Sequence, residues 1–200
     1  MILAVDTSRR TAVAVVDERG AAVTEVTNDD PRAHAEAIGP LLTAALDGID
    51  RRTLTAVAYG IGPGPFTGLR VGIAAARAVA GALGLPVLPV ASHDAVALQH
   101  LEAGAPPEFL VVADAKRREV YASRYAGLDP DGLPRRVGAP TVGPAEALPS
   151  LPRVTADVPV AVLARIAARR LVLGRPADGP EPLYLRAPDV TLSAPKRVAS

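Results

Sequence analysis

A run of alternating glycine and proline residues lies between an apolar segment and an alanine-rich segment. The run and the residues after it are Gly62, Pro63, Gly64, Pro65, Phe66, Thr67, Gly68, Leu69, Arg70, Val71 and Gly72. Glycine adopts backbone conformations that other residues rarely adopt, whereas proline fixes φ. Thr67 is of a type that caps helices, so we expect a helix at residues 68–83. The sequence therefore predicts a rigid turn that connects a strand at 54–59 to this helix.

Apolar runs separated by turn residues divide the first half of the chain into short strands and helices. The predicted strands are residues 2–5, 11–16, 22–27, 54–59 and 86–90, and the predicted helices are residues 33–46, 68–83 and 94–102. Three antiparallel strands followed by alternating helices and strands give the order βββαβαβα. This order predicts an α/β fold of the ribonuclease H-like type, the unit that actin-like kinases and chaperones carry twice. We place this first subdomain at residues 1–103.

The second half of the chain begins with a segment similar to the N-terminus. Residues 111–118 align with residues 3–10, since each has an apolar strand, an aspartate and a pair of arginines. Either a degenerate duplication or the ordinary composition of a charged β-hairpin explains this likeness. Further strands are predicted at 119–125 and 137–142, a turn of helix at 144–148, and a helix at 160–173. We expect a smaller second subdomain at 104–184 and an extended tail at 185–200.

Composition narrows the possible functions. The chain has 200 residues, no cysteine and a formal net charge of +1. Without cysteine it forms neither disulfides nor thiolate-ligated metal sites. A chain without a basic excess is not typical of independent nucleic-acid-binding proteins. Met1 is not followed by a signal-peptide pattern, and Arg77 interrupts the longest apolar stretch, so we expect a cytoplasmic protein without a membrane span.

Glycine-rich turns before helices often bind phosphate through backbone N–H groups. The spacing of the glycines differs here from the Gly-x-Gly-x-x-Gly pattern, and no Lys-Ser/Thr pair follows as in a P-loop. Asp6 lies where actin-like kinases hold magnesium and nucleotide phosphate, but the loop after it contains no glycine. The alternative function is a small actin-like ATP-binding phosphotransferase or ATPase, with Asp6 and Thr7 as a possible vestigial nucleotide site.

Other catalytic constellations are not supported by the sequence. Ser8, His93 and Asp114 could form a hydrolase triad, but no Gly-x-Ser-x-Gly elbow is present. The chain has only three histidines, and His93 and His100 are seven residues apart with no carboxylate at a ligating interval, so we predict no metal site. We therefore predict no catalytic residue.

Small residues recur at every fourth position of the predicted helix at 68–83. They are Gly68, Gly72, Ala76, Ala80 and Gly84. Such a stripe lets another helix approach closely. Each glycine in a helix interior costs about 1 kcal/mol relative to alanine, which a tight contact must offset. The stripe forms either an interface with a partner or a seam inside the core.

Five segments of the chain match the motifs of a known family. They are Ile-Leu-Ala-Val-Asp-Thr-Ser at 2–8, His-Ala-Glu at 34–36 with Pro-Leu-Leu at 40–42, the glycine motif at 62–72, Asp-Ala-Lys-Arg-Arg-Glu-Val-Tyr at 114–121, and Tyr-Leu-Arg at 184–186. In these segments the chain resembles the TsaB (YeaZ) family, the bacterial partner subunits in tRNA threonylcarbamoyladenosine biosynthesis. The resemblance implies an actin-like ATPase fold of two related subdomains, with no metal or cofactor of its own, because ATP is used by the complex.

The resemblance also implies a function and a set of positions. The function is that of a non-catalytic subunit, which binds and activates TsaD and, with TsaE, supports N6-threonylcarbamoyladenosine formation at position 37 of tRNA. Such subunits form homodimers when TsaD is absent and contact tRNA only through the complex. The resemblance implies partner contacts at His34, Glu36, Gly68 and Gly72, and the small-residue stripe adds Ala76 and Ala80 to the predicted interface. The implied structural turn is Gly62, Pro63, Gly64, Phe66, Thr67 and Arg70. Pro65 replaces the serine usual in the family, which removes a hydroxyl and stiffens the turn.

Overall fold

The computed structural model describes residues 1–186, so the predicted tail at 185–200 lies almost entirely outside the described residues. The strands are β1 (Ile2–Asp6), β2 (Thr11–Val16), β3 (Ala22–Asn28), β4 (Ala56–Gly60), β5 (Val87–Val90), β6 (Glu108–Asp114), β7 (Glu119–Leu128), β8 (Pro134–Pro144) and β9 (Arg153–Val154). The helices are α1 (His34–Ala45), α2 (Phe66–Leu83), α3 (Ser92–Glu102) and α4 (Val160–Val172), with short 3-10 turns at Arg51–Thr53 and Ala145–Ala147.

The first sheet has the strand order β3-β2-β1-β4-β5. β1 pairs antiparallel with β2 and parallel with β4, and β5 pairs parallel with β4. All residues of β1, β2 and β4 are buried, because helices cover both faces of these central strands. Strands in this position are nearly continuous apolar runs, which makes them recognisable in the sequence. The predicted order βββαβαβα is confirmed.

The second sheet has the order β8-β7-β6-β9, and β6 and β7 form an antiparallel hairpin. Four residues, 115–118, separate these two strands, as residues 7–10 separate β1 from β2. The likeness between residues 3–10 and 111–118 thus extends to hairpins with loops of equal length. β8 is longer than the predicted strand at 137–142 and includes irregular pairing with β7.

The main core lies between the two sheets. Its buried residues come from both sheets and from α3 and α4, and they include Ala4, Ala14, Phe109, Tyr125 and Leu163. α4 packs on β1 and β2 as well as on α3, although it lies within the range predicted for the second subdomain, 104–184. The predicted boundaries between the subdomains stay a prediction.

α1 and α2 cover the opposite face of the first sheet, where a second core cluster contains Leu3, Val5, Tyr59 and Leu69. α2 has the length and, with a mean hydropathy of 1.3, the composition that a membrane span requires. The core helix of a folded domain meets the same criteria, and the inner face of α2 packs on β1 and β4. The absence of a membrane span remains a prediction.

Candidate functional site

Three glycines of the turn and of α2 face the loop after β1 at distances that leave no room for a side chain. A Cβ atom at Gly64 would lie 2.6 Å from the carbonyl oxygen of Ser8, and one at Gly68 would lie 2.7 Å from that of Thr7. At Gly72 a Cβ atom would lie 2.3 Å from Thr7 Oγ1. Close contact with the protein's own loop therefore accounts for these glycines.

The Thr7 hydroxyl bridges two backbone groups near the start of α2. It donates a hydrogen bond of 2.6 Å to the Gly68 carbonyl oxygen and accepts one of 3.1 Å from the Gly72 N–H group. An α-helix ordinarily joins this carbonyl and this N–H group directly. Thr7, a predicted member of a vestigial nucleotide site, thus serves here to fix the start of α2 to the end of β1.

Asp6, the other residue of the predicted nucleotide site, is 1% exposed. Its Oδ1 accepts hydrogen bonds from the Ser8 N–H group (2.9 Å) and hydroxyl (2.6 Å), and its Oδ2 accepts one from the Ser92 hydroxyl (2.6 Å). Gly60 packs against the same carboxylate, because a Cβ atom there would lie 1.8 Å from Oδ2. Burial raises the pKa of Asp6, while the serine hydrogen bonds act in the opposite direction. Both carboxylate oxygens of Asp6 are thus satisfied by groups of the protein itself.

The glycine–proline turn is held by α3. The Gly62 N–H group donates to Ser92 Oγ (3.0 Å), and the Ser92 N–H group donates to the Gly62 carbonyl oxygen (2.7 Å). Gly62 has a φ of 92°, in the region that favours glycine, and the Gly62–Pro63 peptide bond is cis. α2 begins at Phe66 with Pro65 at the N-cap position. The prediction that Thr67 caps a helix beginning at Gly68 is therefore wrong, since the fixed φ of Pro65 already starts the helix two residues earlier.

The predicted interface residues on α2 face the inside of the subunit. The four residues Gly68, Gly72, Ala76 and Ala80 are buried, the first two against Thr7 and the other two in the core beneath the first sheet. The stripe is a core seam, so its assignment to a partner interface is wrong in this conformation. The physical reason is that α2 carries small residues on both its inner and its outer face, and spacing does not tell these faces apart.

His34 also points inward, whereas Glu36 is exposed. The His34 side chain is 8% exposed, its Nδ1 lies 2.8 Å from Thr11 Oγ1, and its ring packs against Gly68. Burial lowers the pKa of His34, although Asp6 and Asp30 oppose this shift. The prediction of His34 as a partner contact is therefore wrong, and that of Glu36 stays a prediction.

The outer faces of α1 and α2 are exposed and consist mostly of small residues. We define the outer helix face by Glu36, Gly39, Pro40, Thr43 and Ala44 of α1 and Ala74, Ala78, Gly81 and Ala82 of α2, all exposed. A Cβ atom added at Gly39 or Gly81 would meet no atom of the described residues within 4 Å. The two helices pack against each other, so the outer helix face is continuous.

Residues 175–186, here called the C-terminal strap, form neither helix nor strand but cross the first sheet and α2. The Arg77 guanidinium donates to the Pro180 carbonyl oxygen (2.7 Å), and the Leu183 N–H group donates to the Ile61 carbonyl oxygen (2.8 Å). Farther along, Arg186 donates to the carbonyl oxygen of Ala115 and pairs with Glu119. The strap thereby connects the glycine turn to the β6–β7 hairpin. The sequence gives no local signal for these contacts.

A buried cluster of four charges fixes the beginning of the strap. Asp178 pairs with Arg170 (2.6 Å) and Arg136 (3.3 Å), and Asp94 pairs with the same two arginines at 3.1 Å and 3.2 Å. Burial raises the pKa of Asp178, but Arg170, Arg136 and the Ala91 N–H group outweigh this effect and hold the pKa below its usual value. The two negative carboxylates are matched by two positive guanidinium groups, and charges can be withdrawn from water only when they are paired in this way. The cluster joins α3, α4, β8 and the strap.

The loop between β6 and β7 has an unusual backbone. Lys116, Arg117 and Arg118 have φ angles of 62°, 54° and 63°. Each non-glycine residue in this left-handed region costs about 1 kcal/mol or more. The loop is held by a hydrogen bond from the Glu119 N–H group to the Lys116 carbonyl oxygen (3.0 Å) and by one from the Lys116 N–H group to Asp114 Oδ1 (2.8 Å).

The structure gives no support to a triad of Ser8, His93 and Asp114. Ser8 bonds to Asp6, His93 Nδ1 lies 2.9 Å from Ser123 Oγ, and Asp114 pairs with Lys116 at the surface. His93 is buried, and burial, with a smaller effect of Arg136, lowers its pKa to about 3. Among residues 1–186, no three histidine or acidic side chains are arranged to hold a metal ion.

Comparison with known proteins identifies the family that shares this architecture. The family model described as "TsaD: tRNA N6-adenosine threonylcarbamoyltransferase" matches residues 23–132. A solved structure, "YeaZ from Pseudomonas aeruginosa", superposes with a TM-score of 0.77 and 26% identity, covering 92% of this chain and 99% of that one. The chain belongs to the TsaB (YeaZ) family. The predicted α/β actin-like ATPase fold is thereby confirmed.

Two sequence relatives extend this assignment. The "tRNA threonylcarbamoyladenosine biosynthesis protein TsaB" of Haemophilus influenzae is 33% identical over 125 residues, which cover 62% of this chain and 52% of that protein. An uncharacterized protein of Mycobacterium tuberculosis is 41% identical over 206 residues, covering 94% of this chain and 92% of that protein. The chain thus matches the Mycobacterium relative over nearly the whole length of both proteins, and it spans about half the length of the Haemophilus TsaB.

Proposed function

We propose that this chain is an accessory subunit in the biosynthesis of N6-threonylcarbamoyladenosine in tRNA, and that it binds and activates a TsaD catalytic subunit. The names of its TsaB relatives and the match to the TsaD family model support this function. We propose further that TsaE joins the complex, that the chain forms a homodimer when TsaD is absent, and that it acts in the cytoplasm.

A non-catalytic role is supported above all by the end of β1, where the protein's own groups satisfy the polar side chains of Asp6 and Thr7. Both oxygens of Asp6 accept hydrogen bonds from serine residues, and Thr7 bonds to α2. A phosphate or metal ion would have to displace these bonds from a carboxylate that is buried and already satisfied. The arrangement favours an accessory role without a bound cofactor over the alternative of an actin-like ATPase.

We propose the outer helix face as the TsaD-binding surface. Gly39, Ala78 and Gly81 have no side chain larger than a methyl group to hold a second pair of helices away, so backbones can approach closely and bury apolar area. Small side chains also lose little conformational entropy when they become buried. Glu36 belongs to this exposed face, and we include it in the proposed contact surface. The inner stripe positions α2, and the outer face makes the contact.

Substitutions on the outer helix face test this assignment. Ala78→Leu and Gly81→Leu add a bulky side chain where only a methyl group or a hydrogen atom is present. We expect the affinity for the cognate TsaD to fall at least tenfold when it is measured by isothermal titration calorimetry. Ala147→Leu makes the same change at an exposed position of the second subdomain and should not alter the affinity. Unchanged affinity in both α2 variants would contradict the proposed surface.

Reconstitution tests the function itself. Purified TsaC, TsaD and TsaE homologues, with tRNA, threonine, bicarbonate and ATP, should form modified tRNA only when this chain is added. Modification that proceeds equally well without the chain would contradict an accessory role. The Ala78→Leu variant should fail in this assay at concentrations at which the Ala147→Leu variant restores activity.

A further inference from the structure

The aromatic residues of the chain divide into two groups. The composition contains only two phenylalanines, four tyrosines and no tryptophan. Three of these six side chains are fully buried in the core, and they are Tyr59, Phe109 and Tyr125. The other three line one cavity of about 200 Å³, and they are Phe66, Tyr121 and Tyr184. The three remaining rings, of which Tyr121 is buried and Tyr184 exposed, therefore lie at a single place, which we call the aromatic cavity.

Three separate parts of the chain form the aromatic cavity. The glycine turn supplies Gly64, Pro65 and Phe66, the β6–β7 loop supplies Lys116 and Arg117, and the strap supplies Tyr184 and Arg186. The rings of Phe66 and Tyr184 lie 4.6 Å apart at an angle of 38°, and Tyr184 is 37% exposed. Stacking on such partly exposed rings is a favourable arrangement for another planar ring.

Arg70 holds the aromatic pair in place. Its guanidinium group lies 4.0 Å from the centre of the Phe66 ring, and its Nε donates a 3.0 Å hydrogen bond to the Tyr184 hydroxyl. A cation over an aromatic face and a hydrogen bond to the second ring restrict the motion of both rings. The pair is therefore a preorganised platform, which reduces the cost of ordering it when a ligand binds.

A weakly paired cation, Lys116, lies beside this platform. Lys116 lines the aromatic cavity and pairs with Asp114 at 2.8 Å, but both side chains are largely exposed, so the pair is weak and a phosphate group can replace Asp114. A neighbouring cavity of about 480 Å³ shares Pro65, Lys116 and Tyr121 with the first. Arg9 and Arg10 line this second cavity but pair with Asp157 and Asp29, so Lys116 is the cation that both cavities offer to a phosphate group.

The backbone of the β6–β7 loop gives an independent reason to expect a ligand there. Glycine or asparagine would occupy the left-handed positions 116–118 more favourably than the long cationic residues that are present. Strained backbone conformations of this kind cluster at binding and catalytic sites, where they hold functional side chains in position. The loop thus keeps cationic side chains at the cavity at the expense of stability.

We propose that the aromatic cavity binds one nucleotide unit of single-stranded RNA, with the base against Phe66 and Tyr184 and the adjoining phosphate at Lys116. Proteins hold single-stranded nucleic acid by stacking bases on aromatic side chains and by placing cations at the phosphates, and Phe66, Tyr184 and Lys116 offer both kinds of contact. This inference rests on the proposed role in tRNA modification. It adds a direct, weak RNA contact to a subunit whose net charge of +1 does not predict independent RNA binding.

The test is fluorescence anisotropy with the full chain and a fluorescein-labelled single-stranded RNA oligonucleotide at low salt. Tyr184→Leu removes a ring but keeps apolar bulk, and we expect it to weaken binding by about fivefold or more. Lys116→Asn removes a cation at a position where asparagine is well tolerated, so we expect weaker binding, a smaller dependence of affinity on salt, and an unchanged or higher Tm. Arg52→Gln removes an exposed charge near the other end of β1 and should leave binding unchanged.

The outcomes separate the possible ligands. Equal RNA affinity in wild type, Tyr184→Leu and Lys116→Asn would overturn the proposal. Displacement of the oligonucleotide by stoichiometric AMP would also overturn it, because the cavity would then be a site for a free nucleotide. Calorimetric titration of each variant with TsaD distinguishes this failure from failure of the proposed function, since neither substitution lies on the outer helix face. Loss of RNA binding with normal TsaD binding supports the inference.

Discussion

Gly72→Ala offers a sharp test of how α2 is attached to β1. Alanine is the better helix former, so the substitution would stabilise an exposed helix by about 1 kcal/mol. In this structure the added Cβ atom would lie 2.3 Å from Thr7 Oγ1 and 3.0 Å from Thr7 Cγ2. We therefore expect the opposite sign, a loss of stability, because Thr7 must move away from the helix.

The magnitude follows from three contributions. Moving Thr7 breaks its hydrogen bonds to Gly68 and Gly72, each worth about 1 kcal/mol. Excess volume in a packed core adds about 1–3 kcal/mol, and the gain in helix propensity returns about 1 kcal/mol. The free energy of unfolding should thus fall by about 2–4 kcal/mol. For a chain of this size, the Tm should fall by roughly 5–15 °C.

Gly81→Ala is the matched control in the same helix. A Cβ atom at Gly81 would meet no atom of residues 1–186 within 4 Å, so the Tm should rise by about 2–4 °C. Thermal denaturation followed by circular dichroism measures both variants. If Gly72→Ala were as stable as Gly81→Ala, the contact with Thr7 would not determine the residue at position 72. In the Gly72→Ala background, Thr7→Ala should recover part of the loss, since it removes the hydroxyl and the methyl group.

Two buried groups give further expectations. His93 has a pKa of about 3 in the folded chain, whereas the unfolded chain binds a proton below about pH 6.5. The free energy of unfolding should therefore fall by about 1.4 kcal/mol for each pH unit below 6.5, down to about pH 3, and urea titrations of His93→Asn should lack this component. Asp178→Asn leaves Arg136 and Arg170 with one carboxylate, so chemical denaturation should show a loss of about 3 kcal/mol. No measurable loss is expected for Asp50→Asn at an exposed pair, and equal effects in the two asparagine variants would contradict the role of the buried cluster.

Much of the first sheet could be predicted because burial and local pattern coincide there. β1, β2 and β4 are fully buried apolar runs between clear turn residues, and their predicted bounds differ from those in the structure by at most two residues. The start of α2 was less predictable. Both Pro65 and Thr67 are suitable residues for a helix N-terminus, and only the tertiary arrangement of the turn selects the proline.

The candidate site was harder to predict, because its residues were recognised but their surroundings were not. The small residues of α2 were found, yet the inner and outer faces are both poor in large side chains, so the pattern alone does not orient the helix. Asp6 was identified as a polar group at the end of β1, but Ser92, which satisfies it, lies 86 positions away. The contacts of the strap with Arg70 and Arg77 likewise join residues more than 100 positions apart. Such pairings leave no periodicity in the sequence.

The path of the C-terminal strap has a consequence for synthesis of the protein on the ribosome. β1 to β5, with α1 and α2, are translated well before the strap, so the first sheet can form while the second half is still being made. Tyr184 and Leu183 reach Arg70 and Ile61 only after the strap itself has left the exit tunnel. A nascent chain without the strap therefore displays an incomplete version of the surface beside α2. Any partner that contacts Tyr184 can bind only after the strap has been made and has docked.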